Sequence, residues 1–130
     1  MSICYNGTAR YQNGDAKDLN KYNARKTPYD GYVFDSGKEC QRYKDLRLLE
    51  KAGEIYGLTV HPKFILQEGF MWHGKKIRPI TYTADFMYQE DGNTIVSDVK
   101  GGKATQTQLF KVKVKMLKKR FPNLIFRIVV

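Results

Sequence analysis

The chain has 130 residues, 42% of them hydrophobic, and a formal net charge of +10. That length suits one domain with a hydrophobic core, and no stretch approaches the roughly 18 consecutive apolar residues of a membrane span. The excess of cations calls for an anionic partner, nucleic acid before a lipid surface. The opening, Met1-Ser2-Ile3-Cys4-Tyr5-Asn6-Gly7, lacks the basic and apolar regions of a signal peptide, so a soluble intracellular protein is expected. Cys4 and Cys40 have no ligand spacing, and neither His61 nor His73 has a nearby thiol, which argues against zinc.

In chain order, residues 1–31 read as an irregular basic arm and residues 32–130 as the folded domain. The arm is rich in Asn, Gly, Lys and Tyr and offers Arg25 and Lys26 to phosphates. Its last stretch, Lys26 to Gly31, reads as a turn, and Tyr32-Val33-Phe34 as a short extended entry. Ser36 as N-cap, with Glu39 three residues later, then predicts a helix. Cys40, Tyr43, Leu46 and Leu49 recur along one face of it, Cys40 as a small core residue, and Gly53 provides the stop.

Extended segments follow. Leu58-Thr59-Val60 and Phe64-Ile65-Leu66 flank Pro62, as on an edge strand or at a bulge. Phe70-Met71-Trp72 and Ile77 to Ile80 flank His73-Gly74-Lys75-Lys76, which reads as a hairpin, and Trp72 and Tyr82 suit core packing there before stacking on bases. A single strand from Ile80 to Tyr88 turns at Glu90-Asp91-Gly92-Asn93 and returns as Thr94 to Lys100. If residues 91 and 92 close that hairpin, Asp85 faces Asp98.

From Ala104 to Phe121 the pattern alternates locally like a strand. Yet Phe110, Val114, Leu117 and Phe121 share a helical face opposite Lys111, Lys115 and Lys118, and length favours the helix. Thr105 with Gln108 offers it a capping box, and Pro122 ends it. Leu124 to Val130 reads as an apolar, largely buried strand. The sum is an α/β fold of order α-β-β-β-α-β, with a mixed central sheet flanked by helices and a parallel pair around the last helix.

The chemistry concentrates at Ile95-Val96-Ser97-Asp98-Val99-Lys100-Gly101. Residues two apart on a strand share a face, so Asp98 and Lys100 project side by side. Magnesium takes hard oxygen ligands, keeps several waters, and is bound by one or two carboxylates plus substrate phosphate. Asp85 and Asp98 supply the pair, and the Val99 backbone carbonyl is the expected third oxygen. Lys100 is placed to orient water and to stabilise charge on a phosphorane. Glu39 is the remaining acid, as accessory ligand or holder of a second ion. After Asp98 no acidic residue occurs, while Lys103, Lys111, Lys115 and Lys118 do, as phosphate binding requires. Gln106 and Gln108 are the polar candidates for substrate contact there, and Lys75 and Lys76 join from the hairpin.

The order Glu39, Asp85, then Asp98-x-Lys100 resembles the PD-(D/E)xK nuclease superfamily. Phe34 to Glu39, Leu48 to Ile55, His61-Pro62-Lys63-Phe64, Ile80 to Phe86 and Asp98-Val99-Lys100-Gly101 resemble a small phage-encoded family placed in it, similar in outline to RecU-type and phage Holliday-junction resolvases. The likeness covers roughly residues 32–130. Ala84 stands where the superfamily name has proline, and Asp98 where Glu is frequent. The resemblance implies a restriction-endonuclease-like core and Mg2+- or Mn2+-dependent hydrolysis of phosphodiester bonds in DNA, with no small-molecule cofactor. Asp85 and Asp98 would be ligands, Glu39 an accessory acid and Lys100 the water-activating residue. It further implies branched DNA as substrate, a homodimer, no membrane, and the cytoplasm of a phage-infected or prophage-carrying bacterial host.

Apart from Asp85, a carboxylate in a strand whose neighbours read as buried, these residues also have plainer readings. A Glu three residues after an N-cap stabilises a helix without chemistry. Asp-x-Lys at a strand end can be a solvated ion pair, and a lysine stripe a solvated helix face. The alternative functions are a repair or restriction-like nuclease on linear or mismatched duplex, and a non-catalytic DNA-binding protein that retains the fold.

Overall fold

The structure, a computed structural model, describes residues 26–101 and 106–130. The described chain falls into two compact units divided after Leu49. The arm up to Arg25, together with Lys103 and Thr105, lies outside the described residues.

In the first unit, strands β1 (Thr27–Tyr29) and β2 (Tyr32–Phe34) pair antiparallel with Tyr29 opposite Tyr32. Asp30 and Gly31 between them both take positive φ, the two-residue turn that matches the twist of paired strands. The stretch read as turn and entry is therefore a hairpin. Helix α1 (Gly37–Lys51) follows, and the Ser36 hydroxyl oxygen accepts from the Glu39 N–H at 3.1 Å. Its inner face buries Glu39, Cys40, Tyr43 and Leu46. The Tyr43 ring packs 5.2 Å from Phe34 and 5.6 Å from Tyr32, and its hydroxyl donates to Asp30 at 2.5 Å. Gly53, with positive φ, follows the end of the helix.

The second unit begins with β3 (Tyr56–Val60), β4 (Lys63–Gln67), β5 (Phe70–Trp72) and β6 (Lys75–Ile77). It continues with β7 (Ile80–Thr83), β8 (Phe86–Glu90), β9 (Asn93–Val99), helix α2 (Gln108–Arg120) and β10 (Ile125–Val129). The main sheet is mixed, in the order β10-β9-β8-β3, with β10 parallel to β9 and the other pairs antiparallel. The α/β class with a mixed sheet is as expected, but the chain carries more strands than α-β-β-β-α-β.

One expected element is divided. The strand read from Ile80 to Tyr88 breaks at Ala84-Asp85 into β7, which pairs with β4, and β8, which pairs with β3 and β9. Opposite that break lie His61, with positive φ, and Pro62. The Ala84 N–H donates to the Pro62 carbonyl at 3.0 Å, but proline has no N–H to return. The His61 N–H instead donates to the Asp85 carbonyl at 2.9 Å. Neighbouring pairs in a regular antiparallel ladder do not both bond in this way, so the ribbon bends there.

The β8–β9 hairpin turns through Asp91 and Gly92, both at positive φ, with Glu90 opposite Asn93, Tyr88 opposite Ile95 and Phe86 opposite Ser97. This is the register expected from the sequence. β9 lies between two strands and buries Ile95, Val96, Ser97 and Asp98 in succession. β10 is an edge strand, with Ile125 and Ile128 exposed, rather than the largely buried strand its composition suggested.

Helix α2 is capped by Thr107, whose side chain accepts from the Phe110 N–H at 3.1 Å, rather than by Thr105. Phe110, Val114 and Leu117 join Leu66, Tyr82, Ala84 and Val96 in one core cluster. No helix among the described residues is long and apolar enough to cross a membrane. Leu117 is fully buried at the centre of this contact, so Leu117→Ala should lower stability by about 2–5 kcal/mol. Lys115→Ala, on the exposed face, should stay within about 0.5 kcal/mol. Urea unfolding of both variants checks this.

Candidate active site

Beyond Phe86 and Ser97 the next pair of the β8–β9 ladder is Asp85 with Asp98, and there side chains take over from the backbone. The Asp85 N–H donates to Asp98 Oδ1 at 2.8 Å, and the Val99 N–H donates to Asp85 Oδ2 at 2.7 Å. Each carboxylate thus accepts an amide from the opposite strand. The bend at Ala84-Asp85 turns the Asp85 N–H out of regular pairing, which makes this exchange available.

Asp98 is 3% exposed. Its Oδ2 accepts from the Tyr82 hydroxyl and lies 3.8 Å from Lys100 Nζ. Burial pushes its carboxyl above the ordinary value of 3.8, against the opposing pull of the Tyr82 hydroxyl, the Lys100 ammonium and the Asp85 N–H. Tyr82 is itself held well above the usual phenol range, by burial and then by the Asp98 charge. Lys100 is half-buried, and its ammonium sits 4.2 Å from the centre of the Phe110 ring. The first turn of α2 thereby touches the same site.

Asp85, Asp98 and Lys100 come together as the sequence predicts. Glu39 belongs to the first unit, where its Oε1 accepts from the Asp35 N–H at 3.1 Å. With the Ser36 contact this is a helix cap, the plainer of its two readings. From Val99 the structure brings an N–H donor to Asp85, where the sequence reading had placed a carbonyl ligand. Among the described residues, no group of three or more His, Cys, Asp and Glu side chains stands together as a metal site.

Two carboxylates, one of them buried, still form a hard-oxygen donor set suited to Mg2+ or Mn2+ when substrate phosphate and water supply the rest. A cation there would offset the burial that disfavours ionised Asp98. The residues present therefore fit such an ion in donor type, and Asp85 and Asp98 are the two that would hold it.

Of the residues expected to meet phosphate, Lys111, Lys115 and Lys118 are exposed on α2 and Gln108 opens that helix. Gln106 is half-buried just before it, and Lys75 and Lys76 are exposed on β6. Lys26 is exposed in the first unit, 3.6 Å from Asp35. Arg25 and Lys103 lie outside the described residues. A groove of about 420 Å³ beside α2 is lined by Leu66, Lys115, Met116, Lys119 and Arg120, so its rim is cationic. Tyr82 was read as core packing or a base-stacking residue, and its bond to Asp98 was missed. The available signal was its inward alternation with Ala84 and Phe86. Trp72, read as hairpin packing, is exposed.

The raised Asp98 value fixes the sign of a pH effect. The folded state holds this proton more tightly than the unfolded chain, so the stability it contributes is full below the ordinary value of 3.8. It is lost as pH rises through the raised folded value. With chelator present, the urea midpoint of Asp98→Asn should therefore fall less than that of the wild type between about pH 4 and pH 7. Parallel courses would remove Asp98 as the source.

Comparison with curated proteins and with solved structures gives no match. Residues 19–130 match the family described as "Protein of unknown function (DUF1064)", and the chain belongs to that family.

Proposed function

We propose that this protein is a divalent-metal-dependent endodeoxyribonuclease of the PD-(D/E)xK kind, acting on branched DNA in phage recombination or replication. The observation that carries the reading is the mutual seating of Asp85 and Asp98 at a strand break, with Lys100 3.8 Å from Asp98. The cationic helix α2 reaches the same place through Phe110. Branched DNA and a homodimer enter from the resemblance to resolvases alone.

On this reading Asp85 and Asp98 hold the ion, which when bound supplies an acidified water and charge neutralisation at phosphorus. Lys100 orients the attacking water and donates to the phosphoryl oxygens. The water oxygen bonds to phosphorus as the P–O bond to the leaving strand end breaks. The water's proton passes to solvent, and the departing oxygen takes one from it. Its half-buried ammonium is steered by Asp98 and the Phe110 ring, which limits the positions it samples. Tyr82 fixes the Asp98 carboxylate from the side opposite its bond to Asp85. The lysines of α2 hold the phosphate backbone.

A second reading has its own support. Both oxygens of Asp98 and one of Asp85 are used by hydrogen bonds within the chain, as a purely structural lock would use them. The protein would then bind DNA without cutting it.

Labelled four-way junction and matched linear duplex, incubated with Mg2+, Mn2+ or EDTA, separate these readings. The wild type should make symmetric, metal-dependent incisions in the junction. Lys100→Ala should slow them on the order of 10²-fold or more, and Asp98→Asn should abolish them, both with unchanged DNA binding. Equal cutting of both substrates would retain the nuclease and remove the junction preference. Tight binding with no cutting under any metal would favour the binding protein. Independently, Lys111→Gln with Lys115→Gln should reduce the slope of log affinity against log salt by about two. An unchanged slope would place the DNA elsewhere.

A further inference from the structure

The β5–β6 hairpin stands as its own two-stranded sheet, bonded to neither of the other sheets of the second unit. Its pairs are Phe70 with Ile77, Met71 with Lys76 and Trp72 with Lys75. Alternation therefore places Phe70, Trp72, Lys75 and Ile77 on one face, and Met71 with Lys76 on the other. Phe70 is 47% exposed, Met71 65% and Trp72 56%, so apolar side chains that would ordinarily pack are presented to solvent. The Trp72 ring meets the His73 ring edge-on at 4.3 Å.

The hairpin is also pre-shaped. His73 and Gly74 both take positive φ in a two-residue turn. At its base, a side chain on Gly69 would come within 2.9 Å of the Ile77 carbonyl, so only glycine lets the strands close there.

We propose that this hairpin binds unpaired DNA bases, with Trp72 stacking on a base and Lys75 and Lys76 taking the adjoining phosphates. The proposal rests on reading the chain as a DNA-binding protein, though not on its cutting DNA. An exposed indole with Lys75 paired beside it on the same face, and Lys76 next along the strand on the other, matches a nucleotide, which offers a π-face next to an anion. A bilayer fits less well, because Lys75 and Lys76 follow the His73-Gly74 turn at once, level with Trp72 and Met71, and insertion would carry both ammonium groups in with the apolar side chains. A second copy fits less well too, because a two-fold contact through this face would bring Lys75 of both chains together.

Trp72 is the only tryptophan in the 130 residues, so emission excited selectively over the tyrosines reports on this hairpin. The full chain in EDTA is titrated with oligothymidylate, with duplex of equal length and with phosphatidylserine vesicles, while anisotropy of dye-labelled DNA follows binding. Single strand should quench Trp72 saturably, with the midpoint given by anisotropy, and duplex should quench it less. Trp72→Ala should weaken single-strand binding about tenfold at an unchanged urea midpoint. Lys75→Gln with Lys76→Gln should weaken the quenching titration and flatten its salt dependence.

Binding seen by anisotropy with unchanged emission would overturn the hairpin contact and leave DNA elsewhere on the surface. Emission changes with vesicles but not DNA, or on dilution of the protein alone, would overturn it in favour of lipid or a second copy. Absence of any DNA binding would overturn both this inference and the nuclease reading. Quenching by a protein that cuts no DNA would uphold the hairpin and overturn only the nuclease.

Discussion

The second unit turns on one substitution of partners, in which two carboxylates take the place of backbone acceptors where a β-ladder stops. Pro62 has no N–H to give opposite Ala84, the ribbon bends, and Asp85 donates its amide to Asp98. Val99 returns a bond to Asp85. Both acids are thereby fixed in position before any ligand arrives, which is the condition a catalytic or metal-binding pair must meet. The same exchange places Asp98 at the buried end of the central strand, where an isolated carboxylate would be expensive. The Tyr82 hydroxyl and the Lys100 ammonium lessen that cost without removing it, since the carboxyl still lies above its ordinary value.

That residual cost bears on function. Replacing Asp98 alone with an apolar residue would take the acceptor from the Asp85 N–H, the Tyr82 hydroxyl and the Lys100 ammonium, so the carboxylate serves the fold as well. Here the carboxylate is kept, with an ammonium beside it and a cationic helix reaching the same site through Phe110. A buried carboxylate with a raised proton affinity beside converging polar groups is what marks a candidate functional site. The nuclease reading accounts for this arrangement with few additions: the ion, the water and the phosphate.

Much of the frame was legible in the sequence. The Asp91-Gly92 turn fixes a two-residue hairpin, and with it the register that brings Asp85 to the level of Asp98. The helical spacing of Phe110, Val114 and Leu117 outweighed the local Lys-Val alternation, because only a helix buries all three. The bend was less legible. Pro62 was visible as an irregularity in its own strand, but its effect on Ala84 depends on a pairing that only the fold supplies. Tyr82 escaped for the same reason, since an inward tyrosine on a strand ordinarily signals packing. Thr107 and Thr105 are equally good caps by type, and the choice between them depends on where the helix docks. For Trp72, packing was favoured over base stacking, and that preference fails because β5 and β6 pair only with each other and leave the indole exposed.

The central claim is that Asp85 and Asp98 together take a divalent cation, and Mn2+ binding measured by calorimetry tests it most directly. The account predicts saturable Mn2+ binding by the wild type, weakened by more than about tenfold in Asp85→Asn and in Asp98→Asn, with both variants folded by circular dichroism. Equal Mn2+ affinity in wild type and variants, or no Mn2+ binding by the folded wild type even with DNA present, would contradict it. The paired carboxylates would then be a structural lock and no more.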